Sequence, residues 1–259
     1  MTGVSKSTAS ATATFVMRCG SPYICTCRHV VEAVFDGKTI PGCKFPTMAL
    51  KVGRKVLNLS RMIGRKAELN FRSPKDEKID IAIAPLTEAH WKLLTNEKKK
   101  TAIDLDNWQA PDWSSVKWGL AAGYPNEHKT HTTVGETEYI TNQLITAVAE
   151  VSSDLPPHKR ITLSSALAKP HSWYFSGLSG GPLYVVEGPE ERDVEDDELF
   201  PVGIIYQGFP STYRPDVSGA PQRDPKQAFL NEQDLFFRAL ALTPDTFDEW
   251  LRESGLALN

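Results

Sequence analysis

The chain lacks the features that mark membrane, nucleic-acid-binding and secreted proteins. Its 259 residues contain no run of apolar residues long enough to predict a membrane-spanning helix. The net charge of −3 is too small to indicate binding to nucleic acid or to a membrane surface. Residues 1–14 are rich in Ser, Thr and Ala but have no apolar stretch, unlike a secretory signal. We therefore expect a cytoplasmic protein with neither a nucleic-acid nor a membrane partner.

Cysteine is also scarce, and all four cysteines lie in the first sixth of the chain. Without an export signal, we expect free thiols in a reducing compartment. Cys25 and Cys27 would share one face of a strand, but the chain has no Cys-x-x-Cys pair of the kind that zinc sites use. His128 and His131 fall in a polar, loop-like stretch. The sequence therefore predicts no metal and no cofactor.

Short β-type segments separated by turns dominate the chain, which predicts a mostly β protein built of antiparallel barrels or a sandwich. Residues 13–18 and 23–26 form the pattern of a hairpin. A helical pattern appears at 232–242, and Thr243-Pro244 predicts the cap and first position of another helix. The other predicted elements are strands at 48–52, 67–71, 79–84, 117–122, 138–150, 160–163, 182–186 and 200–206, and a short helix at 90–100.

Residues 177–182, Gly-Leu-Ser-Gly-Gly-Pro, place a serine between glycines just before an apolar run. Glycines on both sides let the backbone turn tightly and point amide N–H groups outward. Such a turn can present a nucleophilic hydroxyl and stabilise a developing oxyanion in the same place. The motif therefore predicts a serine hydrolase with Ser179 as its nucleophile.

A serine nucleophile needs a general base and an acid that orients it. All six histidines precede Ser179, which excludes the Ser–acid–His order of α/β-hydrolases. His29 follows a predicted strand, and Asp80 lies in an apolar run where a carboxylate needs a partner. The order His29, Asp80, Ser179 therefore predicts a base, an orienting acid and a nucleophile.

In this order the motifs resemble trypsin-like serine peptidases of the chymotrypsin fold, closest in style to bacterial and Htr-type catalytic domains without a PDZ module. The resemblance implies one peptidase domain over residues 1–259, with two packed six-stranded antiparallel β-barrels and a C-terminal helical segment. The matching segments are 11–16, 26–30, 80–83, 119–125 and 177–183. The implied divisions are an N-terminal barrel at 11–100, a linker at 101–115, a C-terminal barrel at 116–231 and helices at 232–259.

The resemblance also implies roles for single residues. Ser179 would attack the peptide bond and form an acyl-enzyme, His29 would act as base and then acid, and Asp80 would orient His29. The backbone N–H groups of Gly177 and Ser179 would form the oxyanion hole. Segment 203–208 resembles the strand that pairs with an extended substrate. The implied substrate-binding residues are Trp173, Tyr206, Gln207 and Gly208.

Two departures from the family bear on regulation and specificity. Leu178 stands where digestive enzymes carry an aspartate that pairs with a newly cut N-terminus, so we expect loop ordering by substrate or a partner instead. Trp173 stands where a trypsin-like pocket has an aspartate, so no preference for basic residues is expected. The expected partners are a protein or peptide substrate and an activating or inhibiting protein. Two alternatives stay open, a catalytically silent peptide-binding pseudo-protease and a serine esterase using the same site.

Overall fold

The contacts of the chain divide it into two compact units in the computed structural model. Unit 1 contains Ala13–Trp108 and the chain from Phe247 onward, and unit 2 contains Thr12 and Gln109–Thr246. The chain thus passes from unit 1 to unit 2 inside the predicted linker 101–115. The structure describes residues 11–35, 49–52, 55–58, 69–97, 100–125, 129–134, 137–142, 144–151, 160–166, 177–187, 199–210 and 234–256.

Unit 1 is built on a four-stranded sheet that starts with the predicted hairpin. Strands β1 (Thr14–Arg18) and β2 (Ser21–Thr26) pair antiparallel through a turn at Cys19 and Gly20, which both have positive φ. The strand order is β5-β2-β1-β6, with β5 antiparallel to β2 and β6 parallel to β1. The other elements are α1 (Arg28–Phe35), β3 (Ala49–Val52), β4 (Lys55–Asn58), β5 (Ala82–Pro85), α2 (Glu88–Lys92), a π-helical turn (Leu93–Glu97) and β6 (Ile103–Asp104).

The last helix, α3 (Pro244–Glu253), begins and ends as the sequence predicts. Thr243 caps it by accepting the Thr246 N–H at 3.1 Å, and Pro244 takes the first helical position. Gly255 ends it with φ 68°, where the left-handed conformation suits glycine. The apolar face of α3 is buried in unit 1, where the Phe247 and Tyr23 rings meet edge to face with centroids 5.5 Å apart.

An ion pair fixes the other side of α3 to β1. The Arg18 guanidinium donates to both oxygens of Asp248, from Nε at 2.8 Å and from Nη2 at 2.7 Å. Both side chains are largely buried, at 18% and 20% exposure. Because a bidentate, partly buried pair is stronger than a surface contact, it sets the position of α3 on unit 1.

Unit 2 is a closed six-stranded antiparallel barrel, in the order β10-β11-β14-β13-β12-β7. Alternate side chains point inward in β12, as Leu183 and Val185 do, and the buried residues of the barrel form an apolar core. The strands of unit 2 are β7 (Val116–Gly123), β8 (Lys129–Val134), β9 (Thr137–Asn142), β10 (Ile145–Val151), β11 (Arg160–Ala166), β12 (Pro182–Glu187), β13 (Leu199–Pro210) and β14 (Asp234–Ala241).

The helix predicted at 232–242 is wrong, because Asp234–Ala241 within this segment form strand β14. Its apolar residues fit helical spacing, but Phe237 and Ala239 point into the core while Phe236 and Arg238 are half-buried. The segment forms a strand and not a helix because it pairs with β11 on one side and with β13 on the other. The barrel therefore extends to Ala241, beyond the predicted limit at residue 231.

Other expectations for unit 1 are met only in part. Among the described residues its sheet is open, so the structure shows one closed barrel where two were expected. Of the strand expected at 67–71, the described residues 69–71 form no strand, and an isolated bridge joins the next residue, Arg72, to Ile83. The surface helix expected at 90–100 is the short α2 with its π-helical turn, and His90 and Leu94 are buried. No helix in the described ranges has the length and apolarity needed to cross a membrane.

We predict that Asp248→Asn lowers the free energy of unfolding by about 2 kcal/mol, because Arg18 keeps its charge but loses a charged bidentate acceptor. Urea denaturation followed by tryptophan fluorescence measures the change. The matched control is Asp245→Asn, an exposed carboxylate of the same helix, which should cost less than half as much. Equal unfolding midpoints for Asp248→Asn and the wild type would contradict this role.

Candidate active site

Asp80 holds His29 by two hydrogen bonds in unit 1. Its Oδ2 lies 2.6 Å from His29 Nδ1, and its Oδ1 accepts the His29 backbone N–H at 3.0 Å. His29 is the second residue of α1, where backbone N–H groups have no acceptor within the helix. A carboxylate there caps the helix and also aligns the ring. Because Nδ1 faces a carboxylate, it carries the proton, and Nε2 is left as an acceptor.

The residues before Asp80 form a turn that Arg28 holds in place. The Arg28 Nη2 donates to the carbonyl oxygens of Pro74 and Asp76, the latter at 3.1 Å. The Asp76 carbonyl also accepts the Ile79 N–H at 3.1 Å, which closes the turn just before Asp80. Arg28 precedes His29 directly, so one short segment supplies the ring and also positions its acid. Sequence reasoning missed Arg28, because nothing local distinguishes it from any other arginine.

The environment of Asp80 keeps it ionised. Burial by itself raises the pKa of this carboxyl, but hydrogen bonds from the His29 ring and from the backbone of His29 and Arg28 outweigh it, and the pKa lies below its ordinary value. An ionised Asp80 favours the proton on Nδ1 of the ring and stabilises a positive charge that develops on it.

In unit 2, the serine loop (residues 177–182) is fixed to the barrel by its apolar residue. Leu178 is 2% exposed and belongs to the barrel core, whereas Ser179 next to it is only half-buried. Gly177 and Gly180 have φ of 104° and 87°, left-handed values that glycine adopts without strain. An apolar side chain in the barrel core thus holds the turn next to Ser179.

Thr12 ties both ends of the serine turn together. Its N–H donates to the Ser179 carbonyl at 3.0 Å, and its Oγ1 donates to the Gly177 carbonyl at 2.6 Å. The same hydroxyl accepts the Tyr124 N–H at 3.0 Å. A Cβ on Gly123 would lie 2.7 Å from Thr12 Oγ1 and 2.6 Å from Leu178, so this close approach requires glycine. Sequence reasoning did not single out Thr12, whose partners are 112 and 165 positions away.

The carbonyl oxygens of Gly177, Leu178 and Ser179 all accept hydrogen bonds, whereas two amides of the serine turn are left without an acceptor in the described part of the chain. Neither the Gly177 N–H nor the Ser179 N–H meets an acceptor among the residues that the structure describes. Gly180 and Gly181 instead donate to Ile205 and Leu178, each at 2.8 Å. Two unbonded donors flanking a hydroxyl can stabilise an oxyanion, provided that it develops within hydrogen-bond reach of both.

The strand predicted to bind substrate adjoins this loop. Ile205 of β13 accepts the Gly180 N–H and donates to the Gly181 carbonyl, both at 2.8 Å. Tyr206, Gln207 and Gly208 follow it directly, half-buried, where the pairing between β13 and β14 shifts register. Trp173, the remaining predicted substrate residue, lies outside the described residues.

The structure thus brings the predicted site residues together in two groups. His29 and Asp80 meet in unit 1, whereas Ser179 and Gly177 share a loop with the 206–208 strand segment beside it in unit 2. The hydrogen bond between Ser179 and His29 that a triad requires stays a prediction.

Comparisons with known proteins add little to this picture. No family model matches the chain, and no curated protein matches it in sequence. Among solved structures, it is similar to the crystal structure of a thermostable serine protease from an extremophilic microorganism, at 14% identity and a TM-score of 0.45. The similarity covers 95% of this chain and 91% of the other. A likeness at this level carries no weight for activity, which must be inferred from the chain's own residues.

Proposed function

We propose that the chain is a serine endopeptidase that hydrolyses peptide bonds through an acyl-enzyme on Ser179. The observation that carries the proposal is the pair of hydrogen bonds between Asp80 and His29, which leaves Nε2 of the ring as the proton acceptor. A histidine oriented in this way is the general base that a serine nucleophile needs. The serine loop of unit 2 supplies the nucleophile with two backbone donors beside it.

In the first step, Ser179 Oγ attacks the carbonyl carbon while its proton passes to Nε2 of His29. The N–H groups of Gly177 and Ser179 stabilise the oxyanion, and one such donor is typically worth about 3 kcal/mol in the transition state. His29 then gives the proton to the leaving amine, and a water molecule, deprotonated by the same nitrogen, attacks the acyl-enzyme. As the acid product leaves, His29 passes this proton to Ser179 Oγ, which restores the free enzyme. Asp80 stays ionised throughout and stabilises the imidazolium.

The segment Tyr206–Gly208 binds the substrate in this proposal. An extended peptide that pairs with its backbone forms an added strand, and main-chain hydrogen bonds then hold the scissile bond beside the serine loop. The open sheet of unit 1 would be part of a second barrel, as the chymotrypsin fold requires. Cytoplasmic action and control by a protein partner remain part of the proposal, and the apolar anchor at Leu178 supports a loop that forms without N-terminal cleavage.

Replacement of the nucleophile tests the proposal directly. We expect the wild type to react with a fluorophosphonate probe and to cleave peptides in a proteome-derived library, and Ser179→Ala to lose both, since only the Ser179 hydroxyl forms the acyl-enzyme. The control is Ser164→Ala, a half-buried serine of β11 in the same barrel. Labelling without peptide cleavage, but with ester hydrolysis, would establish the esterase alternative. Absence of labelling in the wild type would indicate a silent peptide-binding protein.

We predict that Asp80→Asn lowers kcat by about 10⁴-fold, because a neutral amide no longer favours the proton on Nδ1 of His29. KM should change little, since Asp80 does not touch the substrate in this mechanism. Steady-state kinetics on a peptide from the library separates the two constants. The control, Asp76→Asn, alters the turn just before Asp80 but leaves the ring's partner in place. A comparable loss in both variants would show that the turn matters and the proton position does not.

Thr12 serves as a positioning residue, so Thr12→Val should lower kcat by about tenfold with KM nearly unchanged. Valine keeps the shape and the backbone N–H but loses the hydroxyl contacts with Gly177 and Tyr124. Thr12→Ser restores the hydroxyl and should recover most of the rate. If Thr12→Ser is as slow as Thr12→Val, the hydroxyl is not what orders the loop.

A further inference from the structure

Cys27 adds a third metal-ligating side chain to the His29–Asp80 pair. A ligand atom from each of Cys27, His29 and Asp80 lies within 4.8 Å of the other two. Cys27 is fully buried, Asp80 is half-buried and the His29 side chain is half exposed. A ligand that reached this cluster would therefore approach from the His29 side and find the thiol at its inner end.

The backbone around the cluster is held firmly. The Cys27 carbonyl accepts the N–H groups of Val30 and Val31 at 3.2 and 3.4 Å, which places Cys27 at the cap of α1. Asp80 is held by the His29 N–H through Oδ1, so Oδ2 can change partner while the carboxylate stays in place. A cluster on such a framework is preorganised for a ligand that suits its donor atoms.

The donor set is that of a zinc site with an open position. Thiolate, imidazole and carboxylate are the three side-chain ligands of Zn²⁺, with bonds of about 2.0–2.3 Å. A tetrahedral ion with these bonds sets its ligand atoms about 3.3–3.8 Å apart. Nδ1 of His29 and Oδ2 of Asp80, which lie 2.6 Å apart, would therefore separate by about 1 Å. Ligand atoms at the observed limit of 4.8 Å would approach each other by roughly 1–1.5 Å, with water as the fourth ligand. Softer ligands such as thiolate select against Mg²⁺ and Ca²⁺.

We propose that Cys27, His29 and Asp80 form an exchangeable Zn²⁺ site that switches the peptidase off. The ion takes the place of the proton between Nδ1 of His29 and Oδ2 of Asp80. The Cys27 thiol releases its proton to solvent, and the imidazole remains neutral with its proton on Nε2. That nitrogen then donates and can no longer accept the proton of Ser179. Metal binding is inferred from the cluster of Cys27, His29 and Asp80 alone, whereas the inhibitory effect rests on the proposed function.

The spacing of the ligands in the sequence does not indicate this site, because it is not a zinc-binding spacing. Cys25, two residues before Cys27 and equally buried, has no place in the cluster of ligand atoms. Cys25 therefore provides a matched control, a buried thiol of the same segment outside the site.

Metal binding can be measured without activity in a Cys19→Ser/Cys43→Ser background, where Cys25 and Cys27 are the only thiols. We expect one Zn²⁺ per chain by calorimetry and, with Co²⁺, a thiolate-to-cobalt charge-transfer band in the near ultraviolet. Cys27→Ser should abolish the band and weaken Zn²⁺ binding at least tenfold, whereas Cys25→Ser should leave both unchanged. Absence of the band from the background protein, or its persistence in Cys27→Ser, would overturn the proposal.

Ser179→Ala separates this proposal from the proposed function. The variant should bind Zn²⁺ as tightly as the wild type, since Ser179 is not a ligand. In the active wild type, Zn²⁺ should inhibit cleavage and a chelator should restore it, with the concentration for half-inhibition raised at least tenfold in Cys27→Ser. Metal binding by a wild type that has no peptidase activity would refute the proposed function but support the Zn²⁺ site. Activity that Zn²⁺ leaves unchanged at saturation would refute the switch.

Discussion

Each oxygen of the Asp80 carboxylate accepts a hydrogen bond from His29, one from the backbone N–H and the other from the ring Nδ1. The first bond fixes where α1 begins and the second fixes the direction of the imidazole. Backbone and side chain of His29 are thus constrained by the same anion, so the ring cannot rotate without losing the contact that holds it. Two features position Asp80 for this contact. One is the turn before it, which Arg28 and Asp76 close, and the other is the pairing of β5 with β2.

The sequence predicted the elements whose signals are local. The first hairpin, the cap at Thr243 and the stop at Gly255 each depend on residues within a few positions of one another. Strand β14 was missed, because its apolar spacing suits a helix equally well and only its neighbours in the barrel settle the choice. In the candidate site, chain order singled out His29 and Asp80, but the role of Thr12 depends on a partner 165 positions away.

The serine loop is held by an apolar anchor. Leu178 is held by the barrel core, and its burial does not depend on the ionisation of any group. Thr12 adds neutral hydrogen bonds to both ends of the turn. A loop held in this way keeps its shape across pH and salt concentrations that would weaken an ion pair. In unit 1, by contrast, the contact between Asp80 and His29 depends on the ionisation of the Asp80 carboxylate.

The position of β14 in the barrel has a consequence for biosynthesis. This strand is inserted between β11 and β13, although it follows both in the chain, so a nascent polypeptide cannot complete the ring of strands before residue 241 has been added. Until then β11 and β13 keep open edges, and the segment of β13 that adjoins the serine loop has no strand on its other side. Long-range closure of this kind is slow relative to local pairing. Assembly of the loop's surroundings is thereby delayed until Ala241 has been added to the chain.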